Sequence, residues 1–233
     1  MPKPPERQNQ GSNGYNPKPL TSKGRSTRER LLVAAKEIFE ENGFLDARIS
    51  DIATRAHLSH GSFYHYFESK EEIFREVAEL QEFSLLNHRN AEELASAEKD
   101  PLERIKQANR SYLEWYRQEA RIMGVIELMS RYDAEINAVR FRHQHQFADR
   151  IRISIERLQG EGLAGSALDA GFAGDALGAM VARIAELWLV QDWRDYEMNH
   201  VVDQLTLLWA NAIGLQSRSV RPRRGQPQPD KKG

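Results

Sequence analysis

The stretch "LSHGSFYHYFESKEEIF", residues 58–74, decides how the chain is read. Phe63, Tyr64, His65, Tyr66 and Phe67 occupy consecutive positions, with Gly61 just before them and Ser69 and Glu72 just after. An amphipathic surface helix spaces its apolar side chains by three and four, so an unbroken run of rings needs another explanation. In the preceding residues Ile49, Ile52, Ala53 and Ala56 keep helical spacing, Leu58 and Ser59 interrupt it, and Ser59 can cap a new helix. A helix, a tight turn and a second short helix form the helix-turn-helix layout, in which the second helix enters the DNA major groove. Ala53 and Ala56 are small enough for two helices to cross closely. A helix of one or two turns is marginal alone. Phe63 and Phe67 are therefore expected to anchor it against the first and fourth helices, leaving Tyr64, His65 and Tyr66 facing outward towards phosphates or base edges. Gly61 leaves room for close backbone approach to DNA.

Outward from this stretch, the rest of the chain reads as helix. Ser26 with Glu29 is a capping box; Leu31, Leu32, Ala35, Ile38 and Phe39 then form one apolar face, and Gly43 closes the helix. Ser69 with Glu72 opens a second helix running towards residue 95, and Asp100, Pro101 and Glu103 mark a third start. Further helices are expected over 101–118, 120–131, 134–159, 168–191 and 197–213. Strand alternation, turn dipeptides and internal repeats do not stand out, so the fold class is all-α.

With 233 residues, 40% of them hydrophobic, the chain can bury a substantial core. It contains no cysteine, which excludes disulfides and thiolate chemistry and fits a cytoplasmic location. The N-terminal residues are proline-rich and polar where a signal peptide needs an apolar core. The longest apolar stretch, 177–190, carries Arg183 and Glu186 and is too short to cross a bilayer, so no membrane association is expected. The formal net charge of -1 hides an uneven distribution. The first 30 residues and the tail from residue 216 are each about five charges positive, which leaves the body roughly eleven negative. Residues 1–25 and 216–233 are also too polar to pack and are expected to be disordered. Residues 31–80 hold fewer cations than carboxylates. Attraction to DNA there must come from helix N-termini, hydroxyls and Lys70, with the basic arm adding a long-range contribution.

The segments "LLVAAKEIFEENGF" (31–44), "ISDIATRA" (49–56) and "GSFYHYFESKEEIF" (61–74) together resemble the DNA-binding domain of the tetracycline-repressor (TetR) family of bacterial regulators, over residues 27 to about 75. The remainder is similar to that family only in length and helix number. The resemblance implies a three-helix helix-turn-helix domain followed by a helical ligand-binding and dimerisation domain. It also implies a homodimer on a palindromic operator, released by a small effector. The implied boundaries are a basic arm at 1–25, the DNA-binding domain at 26–75, the effector and dimerisation domain at 76–215 and a basic tail at 216–233. By position, Ser59, His60, Gly61, Ser62, Tyr64, His65 and Tyr66 match the family's recognition helix and its N-terminal turn. Ser50 matches a DNA-reaching position on the preceding helix, and Lys70 matches a common phosphate contact. Two positions depart from the pattern. Arg48 stands where Thr or Ser often caps the second helix, so Asp46 could substitute or the start be weaker, and His57 stands where Gly often makes the turn.

In the second domain, Leu177, Met180, Val181, Ile184, Leu187 and Trp188 form one apolar stripe, and Val201, Val202, Leu205, Leu208, Trp209 and Ala212 another. They can pack internally or pair with a second copy, and the resemblance favours a dimeric four-helix interface. A twofold protein suits a twofold operator, with recognition helices about 34–36 Å apart. Tyr112, Trp115, Tyr116, Met123, Ile126, Met129, Phe141 and Trp188 could line an apolar effector pocket, with Glu127 or His145 as its polar groups, or could be plain core. A largely hydrophobic effector is the expectation. His143 and His145 are two residues apart, so a helix points them to separate faces and they make a poor metal pair. No hydrolase, nucleotide-binding or zinc-protease motif is present; catalysis, metals and cofactors are not expected. The competing readings are a DNA-binding protein without an effector and a helical scaffold that never meets DNA.

Overall fold

The computed structural model describes residues 21–95 and 100–216, with side chains at 21–87 and 100–216. Nine helices follow one another among these residues: α1 Ser22–Asp46, α2 Ile49–Arg55, α3 His60–Phe63, α4 Lys70–Ala95, α5 Pro101–Gln118, α6 Ala120–Ser130, α7 Ala134–Gly160, α8 Ala170–Leu189 and α9 Met198–Ala212. The described residues contain no strand, and none of their helices is long and apolar enough to cross a membrane.

Side chains that satisfy orphan backbone groups set most helix boundaries. Ser59 Oγ accepts from Ser62 N (3.2 Å) to open α3, and Ser69 Oγ accepts from Glu72 N (3.1 Å) at the start of α4. Glu72 reaches back to the amide of Glu68, completing a reciprocal cap. Asp100 caps α5 with Pro101 in its first turn, Asp133 caps α7, and Asp169 caps α8.

The first helix corrects the sequence reading. Ser26 does not start α1; Thr21 does, accepting from Gly24 N at 3.2 Å. Residues 22–25 are therefore helical and do not belong to a disordered arm. An earlier hydroxyl at a usable N-cap geometry lets the helix grow one more turn despite the glycine at position 24. The expectation of disorder at 1–20 and 217–233 lies outside the described residues. At its far end Gly43 breaks the helical dihedrals with φ 70° and ψ 177°, a backbone state that favours glycine.

Leu31, Ala35, Phe39, Ile52, Phe63, Phe67, Ile73 and Phe74 lie at the centre of the N-terminal unit, each essentially inaccessible to solvent. The rings of Phe39 and Phe74 meet edge to face at 4.9 Å between centroids. The C-terminal helices pack on a second set that includes Leu113, Ile122, Ile126, Ile136 and Ile155, and apolar packing continues from one set to the other. Helix α4 bridges the two, contacting α1 on one side and α5 and α7 on the other. Helices α7 and α8 cross so closely at Gly174 that a β-carbon there would lie 2.7 Å from the Ala148 carbonyl oxygen.

Candidate nucleic-acid interface and internal cavity

The turn between α2 and α3 closes with His57 in the left-handed region (φ 56°). The Leu58 amide reaches back to the Ala53 carbonyl at 2.8 Å, and His57 N to Thr54 O at 3.0 Å. This is a Schellman-type helix end with histidine where glycine is easiest. Helix α2 has no side-chain cap: Arg48 supplies only its carbonyl, to Asp51 and Ile52, and Asp46 remains the last residue of α1. The α2 carbonyl end is tied instead to α1, where Arg30 donates to Ala56 O.

Phe63 and Phe67 bury completely, pressing their rings together at 5.8 Å, and Arg28 lies over Phe67 at 4.7 Å while pairing with Glu76. With these pins in place α3 presents His60, Gly61, Tyr64 and His65 to solvent, and Ser50 on α2 and Ser59 at the α3 cap are exposed beside them. Tyr64 is 50% exposed, its ring braced by the edges of His60 and Phe63. Ser62 is half-buried, its hydroxyl 2.7 Å from that of Ser59. A β-carbon at Gly61 would meet no protein atom within 4 Å, so internal packing does not explain the missing side chain.

Two expected contacts sit differently. Tyr66 is half-buried and packs against the core, because the turn after α3 carries it back towards the protein. Lys70 is directed inward: its ammonium donates to the carbonyls of Phe44 (2.7 Å), Leu45 (3.2 Å) and Ala47 (2.9 Å) and lies 4.6 Å from the Phe44 ring centre. All three ammonium protons are thus used where α1 ends and its carbonyls lack helical partners. Most other cations of this unit are paired too. Arg55 bridges Glu37 and Glu41, Lys36 bridges Glu40 and Glu119, and Arg75 bridges Asp133 and Glu135. The exposed face around α3 therefore offers mainly hydroxyls, imidazoles and backbone.

In the C-terminal helices a cavity of about 390 Å³ opens between α4, α5, α6, α7 and α8. Tyr112, Tyr116, Met123, Glu127, Phe141 and His145 line it, as the sequence allowed. Trp115, Ile126, Met129 and Trp188 do not; Trp115 and Ile126 are buried in the core, and Met129 and Trp188 pack partly buried against it. Sequence reasoning missed Glu82, Arg140, His143, Phe147, Arg183 and Glu186, which also face the space. Their signal was a charge on an apolar stripe: Glu82 follows Phe74 and Ala78 and precedes Leu85 and Leu86, and Arg140 falls between Ile136 and His143.

Tyr112 stacks on Phe147 (5.5 Å, 12° between planes), forming one wall. Arg140 pairs with Glu127, donates to Ser130 Oγ at 3.0 Å, and stands 3.7 Å from Glu82. Arg183 pairs with Glu186 at 2.6 Å, and Glu186 also accepts from Gln191. Glu82 is only 6% exposed. Burial pushes its carboxyl up to about 7 against the opposing pull of Arg140, with Glu127 adding to the rise. Burial likewise raises the Tyr116 phenol and, with Arg142, lowers the His143 imidazole.

The apolar stripes of α8 and α9 divide. Leu177, Val181, Val202, Leu205 and Trp209 are buried within the protomer and so are not available to a second copy. Met180, Ile184 and Trp188 are half-buried, and Leu208 is 53% exposed. Phe172 and Leu207, outside the expected set, are 72% and 51% exposed. The inner stripes face α5 and α7, which need covering before any partner does.

Residues 31–77 match the model of the family described as bacterial regulatory proteins, tetR family. The uncharacterised helix-turn-helix-type transcriptional regulator YdgC of Bacillus subtilis (strain 168) is 48% identical over 58 residues, 25% of this chain and 30% of YdgC. The transcriptional repressor NemR of Escherichia coli (strain K12) is 31% identical over 100 residues, 43% of this chain and 50% of NemR. The matched segments thus span half or less of these relatives. Among solved structures, the transcriptional regulator FadR of Bacillus subtilis in complex with stearoyl-CoA has a similar fold, with a TM-score of 0.67 at 17% identity over 79% of this chain and 98% of that one. Residues 31–77 thus match the helix-turn-helix domain of the tetR family of bacterial regulators, and the described residues share the all-helical fold of the solved structure.

Proposed function

We propose that this protein is a transcriptional repressor that binds a palindromic operator as a homodimer and is released by a small molecule held in the α4–α8 cavity. The observation that carries the DNA reading is the α3 face. A four-residue helix, too short to persist alone, is held by two buried phenylalanines while Ser50, Ser59, His60, Tyr64 and His65 stand in solvent around a glycine that internal packing does not require. Hydroxyls and imidazoles suit phosphate oxygens and base edges, and the bare backbone at Gly61 suits close approach to a strand. Lys70 is left out of this DNA site, since its protons hold α1.

A second copy would cover the outer faces of α8 and α9, where Phe172, Leu207 and Leu208 lie exposed beside half-buried Met180 and Ile184. The cavity supports effector release: α4 carries Glu82 into it and, at its other end, Arg75 and Glu76, which tie the helix to the α6–α7 corner and to α1. A shift of α4 on ligand binding would move the scaffold that presents α3. That NemR is a transcriptional repressor supports the sign of regulation, and the FadR complex with stearoyl-CoA supports an occupied cavity.

Footprinting on the DNA flanking the protein's own gene tests the reading. Two protected half-sites related by twofold symmetry, their centres about one helical turn or a small multiple apart, are expected. A single asymmetric footprint, or no protection at 100 mM salt, overturns it.

A further inference from the structure

We propose that the α4–α8 cavity takes a lipophilic organic cation, with the Glu82 carboxylate against its charge and aromatic rings around its body. This rests on the reading of that cavity as the effector site and adds the chemistry of the occupant.

The balance of charge carries it. Glu82, Glu127, Asp175 and Glu186 line the cavity against only Arg140 and Arg183. Both guanidiniums are already engaged, Arg140 by Glu127 and Ser130, Arg183 by Glu186. That leaves Asp175, which is exposed, and Glu82, which is not. Glu82 is buried, its approach to Arg140 is loose at 3.7 Å, and no hydrogen bond reaches it among the described residues. A buried carboxylate with only this loose ion pair and no hydrogen bond is costly in such a place, and a positive ligand reduces the cost. Tyr112, Tyr116 and Phe147 line the same space as a stack, and aromatic rings attract the same sign of charge wherever a face is open to it. An acyl or aryl anion would have to take Arg140 from Glu127 or Arg183 from Glu186, and would strand a carboxylate each time. Entry of a cation also fits the volume of about 390 Å³, which admits a ring with a substituted ammonium.

Protons report the same event. Glu82 holds its proton up to about pH 7, and a cation would displace it. The charged and titratable groups lining the same space are Tyr112 and Tyr116 on α5, Glu127 on α6, Arg140, His143 and His145 on α7, and Asp175, Arg183 and Glu186 on α8. Affinity for a permanently charged cation should therefore rise with pH and level off above about 7, most steeply through Glu82.

The test is calorimetric titration of the full chain without DNA, using benzyltrimethylammonium, its neutral isostere neopentylbenzene, and 4-tert-butylbenzoate. The cation is expected to bind at least about tenfold more tightly than either of the others at pH 8, and about tenfold more tightly than at pH 6, a factor of ten corresponding to one unit of coupled titration. Glu82→Gln should abolish the pH dependence and weaken the cation about tenfold, with an unchanged helical circular-dichroism spectrum. Should that variant not fold, the pH series on the native protein decides alone. Tighter binding of the neutral or anionic probe, or an affinity independent of pH, overturns the cation and leaves the effector cavity standing. Binding of none of the three overturns both.

Discussion

Replacing Lys70 with methionine keeps the aliphatic stem and removes the ammonium. Three charge-assisted hydrogen bonds, to Phe44, Leu45 and Ala47, disappear together with the contact over the Phe44 ring. Hydrogen bonds to charged groups are worth about 1.5–3 kcal/mol each, and a cation over a ring about 0.5–1 kcal/mol at an exposed site. The sum overstates the loss. The three bonds share one side chain, and water can reach the partly exposed Leu45 carbonyl. A net cost of about 2–3 kcal/mol follows, or a fall of about 5–10 °C in the melting midpoint of a chain this size. Differential scanning calorimetry measures the first quantity. Operator affinity between 50 and 200 mM salt measures the second, because each phosphate contact contributes about 0.9 to the slope of log K against log salt. If Lys70 braces α1, stability falls and the slope stays the same. An unchanged midpoint with a slope lower by about one would refute the reasoning and return Lys70 to the phosphate backbone.

Gly61→Ala should stabilise α3 by about 0.5–1 kcal/mol, because the new methyl meets no protein atom, while weakening operator binding where the strand needs that space; tighter binding in mobility-shift titrations would count against close approach. Gly174→Ala should cost about 1–3 kcal/mol in urea unfolding, since its β-carbon falls 2.7 Å from the Ala148 carbonyl, and a neutral result would mean that α7 and α8 cross farther apart. The pH dependence of stability should carry the mark of Glu82. Its carboxyl titrates higher folded, near 7, than unfolded, near 4.5, so its contribution is full below 4.5 and is lost as pH rises to 7. Compared with Glu82→Gln, the native protein should lose about 3 kcal/mol across that window; parallel curves for the two proteins would show the group to be solvated.

The sequence alone determined the helices and their order. Ser59, Ser69 and Asp100 offer an oxygen two or three residues before an amide that needs it, and such contacts close within a turn whatever surrounds them. The anchoring role of Phe63 and Phe67 was legible for a similar reason, since so short a helix has no other support. Ser26 was misread because two hydroxyls competed to start one helix, and pattern alone does not rank them. The tertiary structure decided what each apolar or charged face meets. Periodicity marks Leu177 and Val181 as one stripe with Met180 and Ile184, but only packing against α7 buries the first pair and leaves the second half-open. Lys70 lies 26 residues from Phe44, and no local rule connects an ammonium to carbonyls brought beside it by the fold. Glu82 belongs to the same class: its charge is written in the chain, while its isolation from water, and with it a carboxyl able to hold a proton near neutrality, exists only once five helices have closed around it.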